Sequence, residues 1–168
     1  MPPDMNTAAK LARAQAVVEA QGGRLTPLRG EVLRLILETE APIGAYDLLA
    51  RLRERRGNAA PPTVYRALDF LLASGLVHRI ARLSAFVACI DHEPGHAAQF
   101  LICRRCGEVT EVDAPRVVAV LEEEAERHGF SITGATIEAE GICAACAPPA
   151  DEPGTLIMRQ RPSTSRME

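Results

Sequence analysis

Apolar residues recur at helical spacing four times in the first half of the chain, and each run carries its own start or stop signal. Over residues 7–21, Leu11, Ala14, Val17 and Val18 fall at three- and four-residue steps and the run ends at Gly22-Gly23. That predicts a helix with a glycine C-cap. Thr26 and Pro27 supply an N-cap and a proline at the first helical position. Val32, Leu33, Leu35, Ile36 and Leu37 then give a strongly apolar, central helix that breaks at Ala41-Pro42. Tyr46, Leu48, Leu49 and Leu52 mark a third helix, which runs out through Arg51, Arg53, Arg55 and Arg56 into Gly57-Asn58. Pro61 and Pro62 open a fourth, with Val64, Ala67, Leu68 and Leu71 facing inward and Gly75 as its stop. From Val77 to Ile90 the period changes to alternation, which predicts a hairpin with its tip at Leu83-Ser84.

Helix, turn, helix and hairpin in that order is the pattern of a winged helix. In such a unit the first turns of the second helix enter the major groove, which directs Thr63, Tyr65 and Arg66 towards DNA. Arg24 and Arg29, flanking a helix start, are placed to hold phosphates. A plain helical bundle whose arginines only solvate it is the alternative this segment leaves open.

The length of 168 residues allows one ordinary domain or two small ones and excludes a large multidomain enzyme. With 47% hydrophobic and 24% charged residues, most of the chain is expected to fold. Its apolar runs fall far short of the roughly 18 to 20 residues of a membrane span, and no signal-peptide stretch opens it. A cytoplasmic protein with no membrane partner is expected. Aromatics make up 4% and Trp is absent, so there is little for a single-strand stacking platform, and a nucleic-acid partner would be duplex. The net charge of −3 hides an asymmetry: residues 1–82 carry 12 Lys+Arg against 8 Asp+Glu, and residues 83–168 carry 7 against 14. A basic, partner-binding unit joined to an acidic one fits that division, as do two solvated surfaces that differ by chance.

The sharpest chemical signal lies in the cysteines. Cys103 and Cys106 form one CxxC pair and Cys143 and Cys146 a second, leaving Cys89 alone. Two thiolates two residues apart can face one tetrahedral centre from a tight turn, so two pairs make a closed four-thiolate zinc site. The 36 residues from 107 to 142 exceed the spacing of a simple zinc ribbon, so a further element must fit between the pairs. A disulfide framework and a CxxC redox pair are the competing readings; the odd cysteine count and the lack of a secretion signal weigh against the first, and the two equivalent pairs against the second.

Taken together, LTPLRGEVLRLI, AYDLLARLR, PPTVYRALDFLLASGLVHRI, FLICRRCGEV and IEAEGICAAC resemble the ferric uptake regulator family, in particular its zinc uptake regulator branch. The resemblance runs from about residue 7 to residue 147. It implies an α+β protein with an N-terminal winged-helix DNA-binding domain (1–90), a hinge (91–97), a small α/β dimerisation domain with a four-cysteine zinc site (98–147) and a disordered tail (148–168). It also implies a homodimeric, zinc-activated repressor of zinc uptake genes, acting on double-stranded operator DNA as one or two dimers, and no enzyme.

A hairpin centred between Leu83 and Ser84 sets His78 directly opposite Cys89, near enough to share a metal. A one-residue slip would turn one strand's side chains to the other face. By the resemblance, His78, Cys89, His96 and Glu111 match a zinc-sensing site, with His92 an alternative to His96. Thiolate, imidazole and carboxylate together suit Zn²⁺, whereas iron- or peroxide-sensing relatives would rely on nitrogen and oxygen donors. About two zinc ions per subunit are expected, with His128 a candidate for a third. That histidine closes the helix that begins at Asp113-Ala114-Pro115, where the helix dipole alone would favour it. Other readings remain: a family member responding to iron, manganese or peroxide, a zinc-ribbon interaction module, or a zinc enzyme without DNA binding.

Overall fold

The computed structural model describes residues 7–39, 41–89 and 97–147. In chain order the elements are α1 (Thr7–Ala20), α2 (Pro27–Leu37), β1 (Ile43–Gly44), α3 (Ala45–Arg56), α4 (Pro61–Ala73), β2 (Val77–Ile80), β3 (Ala85–Ala88), β4 (Ala98–Cys103), β5 (Val109–Glu111), α5 (Pro115–Arg127) and β6 (Thr136–Gly141). All four helices predicted in the first half form, three of them within a residue or two of the expected ends, while α2 ends at Leu37, three residues short of the break expected at Ala41-Pro42. The Thr26 side chain accepts the Arg29 backbone N–H at 3.4 Å, so the N-cap read from Thr-Pro is real.

Helix α2 is the centre of the first unit. It buries Val32, Leu33, Leu35 and Ile36 against the inward faces of α1, α3 and α4, including Ala14, Val18, Leu48, Leu52, Val64, Leu68 and Leu71. Strands β1, β3 and β2 close this unit as a three-stranded antiparallel sheet, which completes the winged helix. The two-residue strand β1 was not foreseen, because Ile43-Gly44 is too short to show a period.

Two sequence-based expectations need correction. In the hairpin His78 pairs with Val87, and Cys89 lies opposite Leu76, whose carbonyl accepts the Cys89 N–H at 2.9 Å. The register is thus two residues away from the one centred between Leu83 and Ser84. Because the side-chain period of a strand is two, this slip keeps His78 and Cys89 on one face as diagonal neighbours. The turn spans Ala81–Ser84, with Ser84 in the left-handed region at φ 49° and its N–H donating to the Ala81 carbonyl. Tyr46, counted among the apolar positions of α3, is 79% exposed; it occupies the first turn, ahead of the buried Leu48, Leu49 and Leu52.

The second unit is a three-stranded sheet in the order β5-β4-β6, with β4 antiparallel to β5 and parallel to β6. Its apolar cluster is small. Ala98, Phe100 and Ile102 are buried there with Ile80, and Val87 and Val109 pack against them. Two of these six side chains, Ile80 and Val87, come from the wing, so the hairpin belongs physically to both units. No residue of α5 is buried.

The two faces of α4 should separate cleanly in stability measurements. Leu68→Ala empties a fully buried site and should lower unfolding stability by about 2–5 kcal/mol, whereas Tyr65→Ala on the exposed face should change it by less than about 0.5 kcal/mol. Denaturant midpoints at a constant slope check this, and equal losses would mean that the inward face is wrongly assigned.

Candidate metal centres and recognition helix

Parallel pairing of β4 with β6 explains why two cysteine pairs so far apart in sequence meet. The register sets Cys103 beside Gly141, so both strands end at the same edge and each runs directly into its own CxxC turn. The element required between the pairs is β5, α5 and β6 itself. In the first turn the Gly107 N–H donates to the Cys103 carbonyl at 2.9 Å, and Gly107 holds φ at 76°, a conformation that glycine adopts without strain. In the second, the N–H groups of Cys146 and Ala147 both donate to the Cys143 carbonyl. Arg105 links the two turns by donating to the Cys146 carbonyl at 2.7 Å.

The four sulfurs all lie within 4.8 Å of one another, and Cys106 Sγ is 3.7 Å from Cys143 Sγ. A tetrahedral zinc with Zn–S bonds of about 2.3 Å has S···S edges of about 3.8 Å, so the spacing fits that ion; the structure joins none of the five cysteines in a disulfide, which favours the metal reading. The thiols are electrostatically unequal. Backbone N–H groups of Cys143, Cys106 and Arg105 favour the thiolate of Cys103 and hold its pKa down to about 6. Hydrogen bonding to Cys106 and Cys143 pushes Cys146 up to about 12, and Cys143 is raised chiefly by Cys103.

A second cluster spans the junction of the two units. His78 on β2, Cys89 just beyond β3 and Glu111 at the end of β5 place their donor atoms within 4.8 Å of one another, and Cys89 Sγ lies 3.4 Å from Glu111 Oε1. Cys89 is buried and the other two are half-buried. The His78 ring meets Phe100 edge-on, with centroids 5.9 Å apart, which orients the imidazole from the second unit's core. Imidazole, thiolate and carboxylate are three of the donors a tetrahedral zinc accepts, and a fourth position is left for another ligand. His96 and His92 lie outside the described residues, as does the tail from residue 148. His128, at the C-cap of α5, is in neither cluster among the described residues; its Nε2 is 3.4 Å from the Glu124 carboxylate one turn earlier.

Of the residues expected to face DNA, Tyr65 and Arg66 are exposed on α4, Thr63 is half-buried in its first turn, and Arg24 is exposed before α2. Arg29 is half-buried and also engaged within the subunit. Its guanidinium stacks 3.5 Å over the Phe70 ring and donates to the Arg24 carbonyl at 2.8 Å, tying α2 to α4. Phe70 is far from Arg29 in sequence, so helix-start position alone could not reveal this stack.

Metal donors seated on the wing itself make this a winged-helix protein of the metal-regulated class. The profile of the Ferric uptake regulator family matches residues 20–140, and the chain belongs to that family, in the branch of the zinc uptake regulation proteins. It is 45% identical to the zinc uptake regulation protein of Escherichia coli (strain K12) over 137 residues, 81% of this chain and 80% of that one. It is 36% identical to the zinc uptake regulation protein of Mycobacterium tuberculosis (strain CDC 1551 / Oshkosh) over 132 residues, 77% of this chain and 98% of the other. Among solved structures, a zinc uptake regulator complexed with zinc and DNA superposes with a TM-score of 0.79 at 44% identity, over 85% of this chain and 96% of that one.

The two clusters should respond differently to the same substitution. Cys143→Ser should yield aggregated or unfolded protein, because the small sheet loses its staple; Cys89→Ser should leave the fold intact and lower zinc content by one ion per subunit. Metal analysis with circular dichroism checks both, and a stable Cys143→Ser protein would remove the structural role. Zinc uptake by the four-thiol cluster should also release protons. Cys143 and Cys146 lie above the ordinary thiol value and are protonated at neutral pH, so affinity should rise with pH; below about pH 6 Cys103 gains a proton too and affinity should fall more steeply. Calorimetry in buffers of different ionisation enthalpy counts the protons, and a pH-independent affinity would contradict this.

Proposed function

We propose that this protein is a zinc-responsive transcriptional repressor that binds operator DNA as a zinc-loaded homodimer and controls zinc uptake genes. The observation that carries this is the position of the His78, Cys89 and Glu111 cluster, which draws donors from the wing and from the second unit's sheet. A cation there ties the DNA-binding domain (1–90) to the dimerisation domain (98–147) across the hinge (91–97), with His96 as the fourth donor. The four-cysteine cluster holds structural zinc, and Thr63, Tyr65 and Arg66 face the major groove, with Arg24 on a phosphate. Tyr46 joins that surface: a phenol 79% exposed in the first turn of α3 has no packing role and is free to meet DNA. Such a protein works in the cytoplasm, where the chromosome is.

Coupling follows from geometry. Recognition helices of a dimer reach successive half-sites only when about one helical turn apart, so a clamp that fixes wing orientation raises the fraction of dimers with that spacing. Moving the competent form from 1:99 to 99:1 takes about 5.5 kcal/mol of differential zinc binding, well within the reach of a four-donor site. Cys89 favours zinc over the iron, manganese or peroxide alternatives, because a buried thiolate is a soft donor.

Dimerisation is supported by α5. Val117, Val120 and Leu121 stand exposed on a helix with no buried residue, and Phe130 beyond it is 66% exposed. An apolar helix face of this kind, on a unit whose β6 is an edge strand among the described residues, suits a second copy of the chain.

Leu121→Glu should therefore give a zinc-binding monomer that no longer binds operator, as read by sedimentation and gel shift. Arg66→Ala should weaken operator binding by about 1–3 kcal/mol with zinc content and dimer unchanged. Normal binding by Arg66→Ala would place the recognition surface elsewhere.

A further inference from the structure

The turn of the wing is docked on β6 by contacts that involve neither metal cluster. The Glu138 carboxylate accepts two consecutive backbone N–H groups of that turn, from Ala81 at 2.6 Å and from Arg82 at 3.2 Å. Two residues along the strand, Glu140 takes the Arg82 guanidinium at 2.7 Å and lies 3.4 Å from Arg104 Nε. Residues two apart on a strand share a face, so β6 presents both carboxylates to the wing together. Adjacent N–H groups at the start of a turn form a small anion-binding concavity, and a carboxylate there makes charge-assisted hydrogen bonds. The Arg82–Glu140 pair is solvent-exposed and weak on its own; the Glu138 contact addresses backbone that no side-chain change in the turn removes.

We propose that Glu138 is a positioning residue, a metal-independent latch that holds the wing against β6 and sets the orientation of the DNA-binding unit. The wing is then fixed at both ends: at its base by the zinc cluster of His78, Cys89 and Glu111, and at its tip by Glu138. Buried Ile80 and partly buried Val87, packed with Phe100 and Ile102, form the surface between the two attachments. The latched arrangement is the one that superposes on the zinc- and DNA-bound relative. The latch also reassigns Arg82. A wing-tip arginine would ordinarily be expected on a DNA phosphate, but here its guanidinium faces the second unit's carboxylates. This inference rests on the repressor reading for its effect on DNA, and on the geometry alone for its effect on the wing.

The test is Glu138→Ala and Glu138→Gln in the full-length, zinc-loaded protein, read in two ways. Hydrogen exchange at the Ala81 and Arg82 amides should accelerate at least tenfold in Glu138→Ala and by less in Glu138→Gln, which keeps one acceptor oxygen, while zinc content and dimer are unchanged. Operator binding by Glu138→Ala should weaken about tenfold, the scale of a lost charge-assisted contact. The sign is informative, because removing a negative charge near DNA would by simple electrostatics tighten binding. Unchanged exchange at both amides overturns the latch whatever the DNA result. Accelerated exchange with unchanged or tighter operator binding overturns its role in orientation. A wild-type protein that fails to bind operator with zinc would instead count against the repressor reading.

Discussion

The second unit cannot hold itself together by apolar burial alone, and the rest of the architecture follows from that. Its apolar cluster consists of Ala98, Phe100 and Ile102, partly buried Val109, and two residues lent by the wing. Its helix buries nothing within the subunit. A sheet of this size needs a staple, and the four sulfurs at the ends of β4 and β6 supply one if they hold a cation. It needs the wing, whose Ile80 and Val87 complete its core. The same shortage of core thus ties the unit to the DNA-binding unit's position.

That dependence is what allows a metal to report through the fold. His78 and Cys89 are wing residues, and Glu111 belongs to the sheet, so the cluster lies where the two units already share packing. Little motion is required for a cation to bias orientation there, because His78 is packed on Phe100 and Cys89 is buried. The two clusters divide the labour by their surroundings. Backbone N–H groups favour the thiolate of Cys103 within a closed set of four sulfurs, whereas the junction cluster mixes donor types drawn from β2, the end of the wing beyond β3, and β5.

Much of this was legible in the sequence because it rests on local signals. Thr26-Pro27 and Pro61-Pro62 announced helix starts, Gly75 a stop, and the paired CxxC spacing a tetrahedral sulfur site. What escaped depends on contacts distant in sequence. The hairpin register slipped by two residues because turn geometry, not alternation, fixes the centre, and the even slip preserved the predicted face. The stack of Arg29 on Phe70 escaped because nothing local reveals the ring that engages it. Tyr46 entered the apolar pattern of α3 because an aromatic in a helix's first turn matches the period whether or not a neighbour covers it. Glu138 and Glu140 carry no local signal of a role; only the fold brings the wing turn to them, across more than fifty residues.

The central claim is that zinc at the wing junction, and not zinc at the four cysteines, sets the spacing of the recognition helices. Pulsed electron-spin distance measurement tests it most directly, with a spin-labelled unnatural amino acid at the exposed Asp69 position of α4 so that no cysteine is added. The account predicts a broad distance distribution between the two subunits while only the four-cysteine cluster is loaded. That distribution should narrow to a single peak as the second zinc per subunit binds. A distribution already narrow with one zinc per subunit, or unmoved by the second, would contradict it.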